Sequence, residues 1–173
     1  MSLPEADKRL KLQITALRSN NRSAILDTLE ELRSEGDTSI LPELFNLLLL
    51  SEDEEILGKI TSLLNDLKDK EAAEIMAGAI ANPEYESIQN LLLSACWQNG
   101  LSYGKHLSTF IDVVVSGTYS AAVEAFTVIE EAVGELDQDE RNRVVRKMKS
   151  KLKEVEDQKK PLFVELVKTI ESY

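Results

Sequence analysis

Residues 40–64 read ILPELFNLLLLSEDEEILGKITSLL, and the prediction of the fold starts from their pattern. Apolar residues recur in it every three or four positions, before and after an acidic segment at residues 51–55. That spacing places them along one face of each of two helices. Ser51 and Glu54 predict a capping box at the start of the second helix. The stretch therefore predicts a helical hairpin with one apolar side.

The same spacing continues through all 173 residues and predicts ten helices. Gly36 is expected to end the second helix in a left-handed conformation, and Asn82-Pro83 is expected to open the sixth. Asp137 marks the start of the ninth helix. Residues 111–115 contain β-branched side chains that favour a strand locally, but a single strand would have no partner. We therefore expect an all-α protein.

The predicted helices repeat as pairs. The apolar pattern restarts after 31, 32, 34 and 38 residues in the odd-numbered helices, and after 31, 32, 34 and 41 in the even-numbered helices. Nearly equal steps in both series are what a stack of equivalent hairpins requires. We predict a single domain, residues 1–173, of five two-helix units at about 4–36, 37–68, 69–100, 101–136 and 137–173.

The second unit resembles the HEAT-like and armadillo-like repeat family. Its first helix contains the Leu41-Pro42 step, and an acidic turn precedes Ile56 at the start of its second helix. The other units match in apolar spacing alone, and Leu57 stands where the family often has arginine. The resemblance implies a right-handed α-α superhelix, or solenoid, with the second helix of each unit on its concave face. A tetratricopeptide-like array is the alternative, but the step is not constant at 34 residues.

The charge of the chain is uneven. The formal net charge is −11, yet residues 1–140 contain 26 Asp and Glu against 10 Lys and Arg, and residues 141–173 contain 5 against 10. An acidic chain is repelled by nucleic acid and by anionic membranes, which argues against both as general partners. Cys96 is the one cysteine, and no apolar run is long enough to span a bilayer. We expect a cytoplasmic protein.

The sequence contains no recognisable catalytic or cofactor-binding motif. His106 is the only histidine, so neither a His-based triad nor the His-Glu pairs of di-iron HEAT-like enzymes can be assembled. One histidine and Cys96 are too few for a zinc site. The acidic run at residues 52–55 is interpreted as helix-dipole stabilisation, since it lacks the spacing of a calcium loop. We therefore expect no enzyme, no cofactor and no metal.

Trp97 is the residue that most suggests a binding role. It lies about opposite the apolar stripe of the sixth helix, and tryptophan is enriched in interface hot spots. The alternative is that its indole packs on a neighbouring helix. The candidate groove comprises Trp97, Asn90, Leu93, Ser94, Asn65, Ser62, Thr61, Glu124, Thr127 and Glu131. Because this surface is polar and acidic around one aromatic ring, a peptide or protein with basic and apolar side chains would complement it.

A second candidate surface is the basic segment of the last unit. Its docking patch comprises Arg141, Arg143, Arg146, Lys147, Lys149, Lys151 and Lys153, and Lys159 and Lys160 follow. It is interpreted as a docking site for phosphate or an acidic partner, as an exposed outer helix that offsets acidic neighbours, or as a terminal cap. It contains no aromatic residue of the kind that HEAT-like DNA glycosylases would use for stacking on nucleotides.

These features together favour a non-enzymatic protein-interaction module or scaffold. Two alternatives stay open. One is a HEAT-like enzyme, such as a nucleobase-excising glycosylase or a lyase. The other is a structural protein that self-assembles through the ends of the solenoid.

Overall fold

The computed structural model describes residues 3–173, with the side chains of residues 5–34 and 36–173. Over that range the chain forms ten α-helices and no β-strand, which confirms the prediction of an all-α protein with ten helices. The helices are α1 (Leu3–Leu17), α2 (Arg22–Glu35), α3 (Leu41–Leu50), α4 (Glu54–Asn65), α5 (Ala72–Ala81), α6 (Gln89–Asn99), α7 (Leu107–Ser116), α8 (Tyr119–Val133), α9 (Gln138–Lys151) and α10 (Lys160–Ser172). Short 3-10 helices cover Thr38–Ile40, Pro83–Ile88, Gly104–His106, Leu152–Glu154 and Asp157–Lys159.

Packing contacts join the helices in two rows. In the odd row, each helix from α1 to α7 contacts the next odd-numbered helix, and in the even row each helix from α2 to α8 contacts the next even-numbered one. Each odd-numbered helix also contacts the even-numbered helix that follows it. All ten helices contribute buried apolar side chains to one continuous core cluster. No helix in the described range is both long and apolar enough to cross a membrane.

The left-handed helix end occurs at Gly100 instead of Gly36. Gly36 has φ −71° and ψ 138°, so the prediction of a left-handed conformation there is wrong. A Cβ at Gly36 would lie 2.6 Å from the carbonyl oxygen of Leu32, so a larger residue there would collide with the last turn of α2. Gly100, with φ 67°, ends α6 in the conformation that favours glycine.

The start of α4 is capped by Asp53. Its Oδ1 accepts hydrogen bonds from the backbone N–H groups of Glu55 (3.0 Å) and Ile56 (3.2 Å). Ser51 instead accepts from the backbone N–H of Asp53, at 3.2 Å. The predicted capping box of Ser51 with Glu54 is therefore wrong. The helix begins later, where a carboxylate accepts from two free amides at once.

Other helix starts follow the local chemistry of the sequence. Asn82 accepts a hydrogen bond from the backbone N–H of Glu84 at 3.0 Å, and Pro83 opens the 3-10 turn before α6. Asp137 and Glu140 form a capping box at α9, with the carboxylate of Asp137 2.8 Å from the backbone nitrogen of Glu140. Residues 111–115 lie in α7, which confirms the helical interpretation of that β-branched segment.

Lys159 is fully buried although it belongs to the basic segment. Its Nζ donates to the carbonyl oxygens of Val115 (2.8 Å) and Gly117 (2.7 Å), at the carboxyl end of α7. A buried ammonium needs such partners because leaving it unpaired would be very costly. An exposed helix, one of the interpretations of the basic segment, therefore does not describe Lys159. Its two hydrogen bonds join the start of α10 to the end of α7.

Candidate interaction surface

Polar side chains join α2 to α4 across the even row. Here three cations meet carboxylates of the neighbouring helix. The contacts are Arg22 Nε to Asp53 Oδ2 (2.6 Å), Arg22 to Glu55, Lys59 Nζ to Glu30 Oε2 (2.9 Å) and Arg33 Nη1 to Asp66 Oδ2 (3.5 Å). Hydrogen bonding from Arg22 lowers the pKa of the Asp53 carboxyl, and hydrogen bonding from Lys59 lowers the pKa of Glu30. This part of the surface largely neutralises itself.

Uncharged side chains form the joints, that is the polar contacts between neighbouring even-numbered helices, from α4 to α6 and from α6 to α8. Asn65 on α4 donates to Gln98 on α6 at 3.0 Å, and Gln98 in turn donates to Ser94 at 2.9 Å. Asn90 on α6 donates to Ser120 on α8, also at 3.0 Å. Three predicted groove residues thus form hydrogen bonds within the protein. Asn65 and Asn90 bond to the next even-numbered helix, and Ser94 bonds within α6.

The other small polar residues of the predicted groove are half-buried, and their hydroxyl groups form hydrogen bonds within the protein. Thr61 donates to the carbonyl oxygen of Leu57 at 2.8 Å, and Thr127 donates to that of Val123 at 3.3 Å. Ser62 accepts from Arg33 at 2.7 Å. The hydrogen-bonding capacity of these hydroxyl groups is thus used within the protein, which leaves Trp97 and its acidic neighbours as the distinctive features of the surface.

Trp97 is both exposed and held in place. Its side chain is 41% exposed, and its Nε1 donates to Glu124 Oε2 on α8 at 2.8 Å. The indole therefore contacts the adjacent helix through its polar edge and still presents apolar area to solvent. Tyrosine and tryptophan often occupy interfaces in this way because one end is apolar and the other forms a hydrogen bond.

Leu93 is completely buried, so it lies outside any surface that a partner can contact. Its assignment to the groove is wrong. The reason is that α6 contacts α4, α5 and α8, so its covered face is wider than the stripe of Leu92, Ala95 and Cys96. Val123 is the reverse case: it belongs to the apolar pattern of α8, which predicts burial, yet its side chain is 41% exposed.

Carboxylates accumulate where α8 meets α10. Glu131 lies about two helical turns beyond Glu124 on α8. Partial burial, together with the charges of Glu131 and Glu165, raises the pKa of Glu130. On α10, Lys168 Nζ lies 4.0 Å from Glu165 Oε2, at the outer limit of an ion pair. We define the Trp97 surface as Trp97, Val123, Glu124, Glu130, Glu131 and Glu165.

Reasoning from the sequence alone missed Glu130, Glu165 and the exposure of Val123. The available signal was the register of the even-numbered helices, which places α8 beside α6 and α10. That register does not give the angle at which α10 approaches α8, because the last interval of the repeat is longer than the others. The proximity of Glu165 to Glu130 therefore required the structure.

The basic docking patch divides into engaged and free cations. Three residues have partners: Arg141 donates to the carbonyl oxygen of Leu136 (2.6 Å), Lys149 pairs with Glu171 (2.5 Å) and Lys151 with Asp112 (2.8 Å). The side chains of the other four are exposed and have no hydrogen-bond or ion-pair partner among the described residues. We call these four the α9 stripe: Arg143, Arg146 and Lys147 on α9, with Lys153 in the 3-10 turn that follows it.

The groups with most potential for catalysis or metal binding are placed unfavourably for it. Burial raises the pKa of the Cys96 thiol to about 12, which suppresses the reactive thiolate. Tyr103 is buried beside it and hydrogen-bonds to Asn99. Among the described side chains no Asp or Glu is buried, and no group of three or more potential ligands could hold a metal. His106 is half-buried at the end of a 3-10 turn.

No protein-family model matches the chain, and no curated protein matches it significantly. The function is therefore inferred from the two surfaces and from the packing of the helices.

Proposed function

We propose that the chain is a non-enzymatic protein-interaction module, a HEAT-like solenoid of five helical hairpins that works in the cytoplasm. Two observations support the solenoid. Contacts between alternate helices run through both rows, as stacked hairpins require. The joints also connect equivalent regions of successive units, such as Arg22 with Asp53 and Asn65 with Gln98. The even row would then line the concave face, and that face would bind a peptide or protein.

Trp97 carries the proposal. An indole that is 41% exposed and tied to Glu124 is fixed before any partner arrives. Fixing a side chain in advance reduces the entropy that binding must overcome. Tryptophan also buries more area than any other side chain, which makes it a strong anchor. Trp97 is therefore the residue on which we expect most of the affinity to depend.

The charge around Trp97 suggests the chemistry of the partner. Four carboxylates in the α2–α4 part of the even row are paired with cations, whereas Glu130 and Glu131 have no cation partner among the described residues. A partner that brings basic side chains would supply the missing charge, and its apolar side chains would cover Trp97 and Val123. We therefore expect a partner segment that is both basic and apolar.

The test is affinity capture with crosslinking mass spectrometry, comparing wild-type protein with Trp97→Ala and Leu50→Ala. Leu50 is the matched control, because it is 82% exposed but lies on α3 in the odd row. We expect crosslinks on α6 and α8, loss of the partner with Trp97→Ala and retention with Leu50→Ala. If Trp97→Ala keeps its circular dichroism spectrum and all of its partners, the proposal is wrong.

A further inference from the structure

The cations of residues 141–159 fall into two groups, those with a partner among the described residues and those without one. Arg141, Lys149 and Lys151 all have partners, and Lys159 is bound to two carbonyl groups. The free cations of the α9 stripe follow one another at helical spacing, with Arg146 three residues and Lys147 four residues after Arg143. Leu152, the neighbour of Lys153, is 37% exposed. The stripe therefore combines four free cations with one exposed apolar side chain beside it.

The α9 stripe is not explained by the stability of its own helix. Like charges three or four residues apart weaken a helix, as in the pair Arg143 and Lys147. Their neighbours Lys149 and Lys151 show that this helix can pair its cations with acids on α10 and α7. The unpaired cations are compatible with a partner of opposite charge.

The same chain carries a surface of matching chemistry. The Trp97 surface combines exposed apolar area at Trp97 and Val123 with carboxylates that lack cations, most clearly Glu130 and Glu131. The two surfaces are built on different rows, since α9 contacts α7 and α10 whereas Trp97 and Glu124 lie on α6 and α8. No ion pair between the two surfaces occurs in the described range.

We infer that a second copy of this chain is a partner of the Trp97 surface: the α9 stripe of one copy docks on the Trp97 surface of the next. This rests on the proposed function, because it uses the same surface and names its occupant. Arg143, Arg146 and Lys147 would face the carboxylates, and Leu152 would add apolar contact to the indole. The charge complementarity of the two surfaces supports a second copy over a nucleic acid, since the stripe has no aromatic residue for stacking on bases.

Each copy offers one surface of each kind, so two copies can pair reciprocally about a two-fold axis, or successive copies can associate head to tail into a closed ring or an open filament. The assembly is expected to be salt-sensitive, since exposed charges are screened over about 8 Å at physiological ionic strength.

The test uses two complementary variants. The stripe variant carries Arg143→Gln, Arg146→Gln and Lys147→Gln, and the surface variant carries Trp97→Ala, Glu131→Gln and Glu165→Gln. Each has one intact surface. We expect wild-type protein to associate with rising concentration in sedimentation velocity, and each variant alone to associate at least about tenfold more weakly. An equimolar mixture should form 1:1 dimers and nothing larger, because only one pairing of intact surfaces exists.

Fluorescence locates the contact. Trp97 is the only tryptophan, so the surface variant has none and all tryptophan emission in the mixture comes from the stripe variant. Adding the surface variant should shift that emission saturably, and added salt should reverse the shift. The matched control carries Lys8→Gln, Lys11→Gln and Lys105→Gln, which removes three exposed cations outside α9 and changes the net charge equally. It should associate like the wild type.

Several results would overturn this inference. Wild-type protein that stays monomeric at low salt would do so, as would a stripe variant that associates like the wild type or a control that loses association equally. Stripe-dependent binding of a fluorescein-labelled oligothymidylate without self-association would point to nucleic acid instead. If monomeric protein still captures another partner through Trp97, this inference fails and the proposed function stands. If Trp97→Ala loses neither kind of contact, both fail.

Discussion

Replacing Lys159 with methionine tests how the start of α10 is held against the end of α7. The change keeps most of the aliphatic stem but removes the ammonium that donates to Val115 and Gly117. Each hydrogen bond from a charged group contributes about 1.5–3 kcal/mol, and two carbonyl groups would lose their partner. Removing a buried charge offsets part of that loss. We therefore expect Lys159→Met to reduce the free energy of unfolding by about 3 kcal/mol.

The assay is equilibrium urea unfolding followed by far-ultraviolet circular dichroism, together with thermal melting. A loss of about 3 kcal/mol should lower Tm by about 6–12 °C in a chain of this size. Hydrogen exchange should show faster opening of α9 and α10 than of α4 and α6, because the broken bonds lie between α10 and α7.

Lys160→Met is the matched control. Lys160 is the adjacent residue and pairs with Asp157 at 2.6 Å on the surface, so its replacement should change stability by less than about 1 kcal/mol. If the two variants unfold at the same urea concentration, the buried ammonium of Lys159 does not stabilise the contact between α10 and α7 and the reasoning is refuted.

Three further predictions follow from single positions. Gly58 lies inside α4, and a Cβ added there would meet no atom within 4 Å, so Gly58→Ala should stabilise the protein by about 0.5–1 kcal/mol in urea unfolding; a loss of stability would contradict this. Cys96 should react with a thiol reagent at pH 8 only after urea unfolds the chain, because burial raises its pKa to about 12; fast labelling of native protein would show that the helix opens locally. Burial and the charges of Glu131 and Glu165 raise the pKa of Glu130, so its charged form destabilises the fold, and this destabilisation disappears as pH falls through the raised pKa. Glu130→Gln should therefore raise Tm at pH 7 and have little effect on Tm at pH 4. An equal change in Tm at both pH values would contradict this.

The sequence predicts those features that depend on near neighbours along the chain. The capping box of Asp137 with Glu140 needs only residues three apart, and the structure contains it. The end of α2 at Gly36 depends on the direction the chain takes afterwards, toward the cap at Asp37. A glycine permits a left-handed conformation without requiring it. The presence of glycine therefore does not tell from the sequence that Gly100 adopts this conformation and Gly36 does not.

Burial on the candidate surface depends on residues far away in the sequence. Leu93 is covered because α6 has neighbours on both sides in the even row, and the periodicity of one helix does not reveal how wide its covered face is. Lys159 and Lys160 are adjacent and chemically identical in the sequence. Only Lys159 meets Val115 and Gly117, which lie 44 and 42 residues before it.

The joints of the even row have a consequence for how this protein can be rearranged. The joint after α2 uses Arg22 with two carboxylates, the joint after α4 uses Asn65 with Gln98, and the joint after α6 adds Trp97 with Glu124. In a consensus array every unit presents the same edge, so units can be exchanged, deleted or duplicated. Here the polar contacts differ from one helix pair to the next, so exchanged helix pairs would set unlike side chains against each other. The polar contacts between neighbouring even-numbered helices therefore fix the order in which the helix pairs pack.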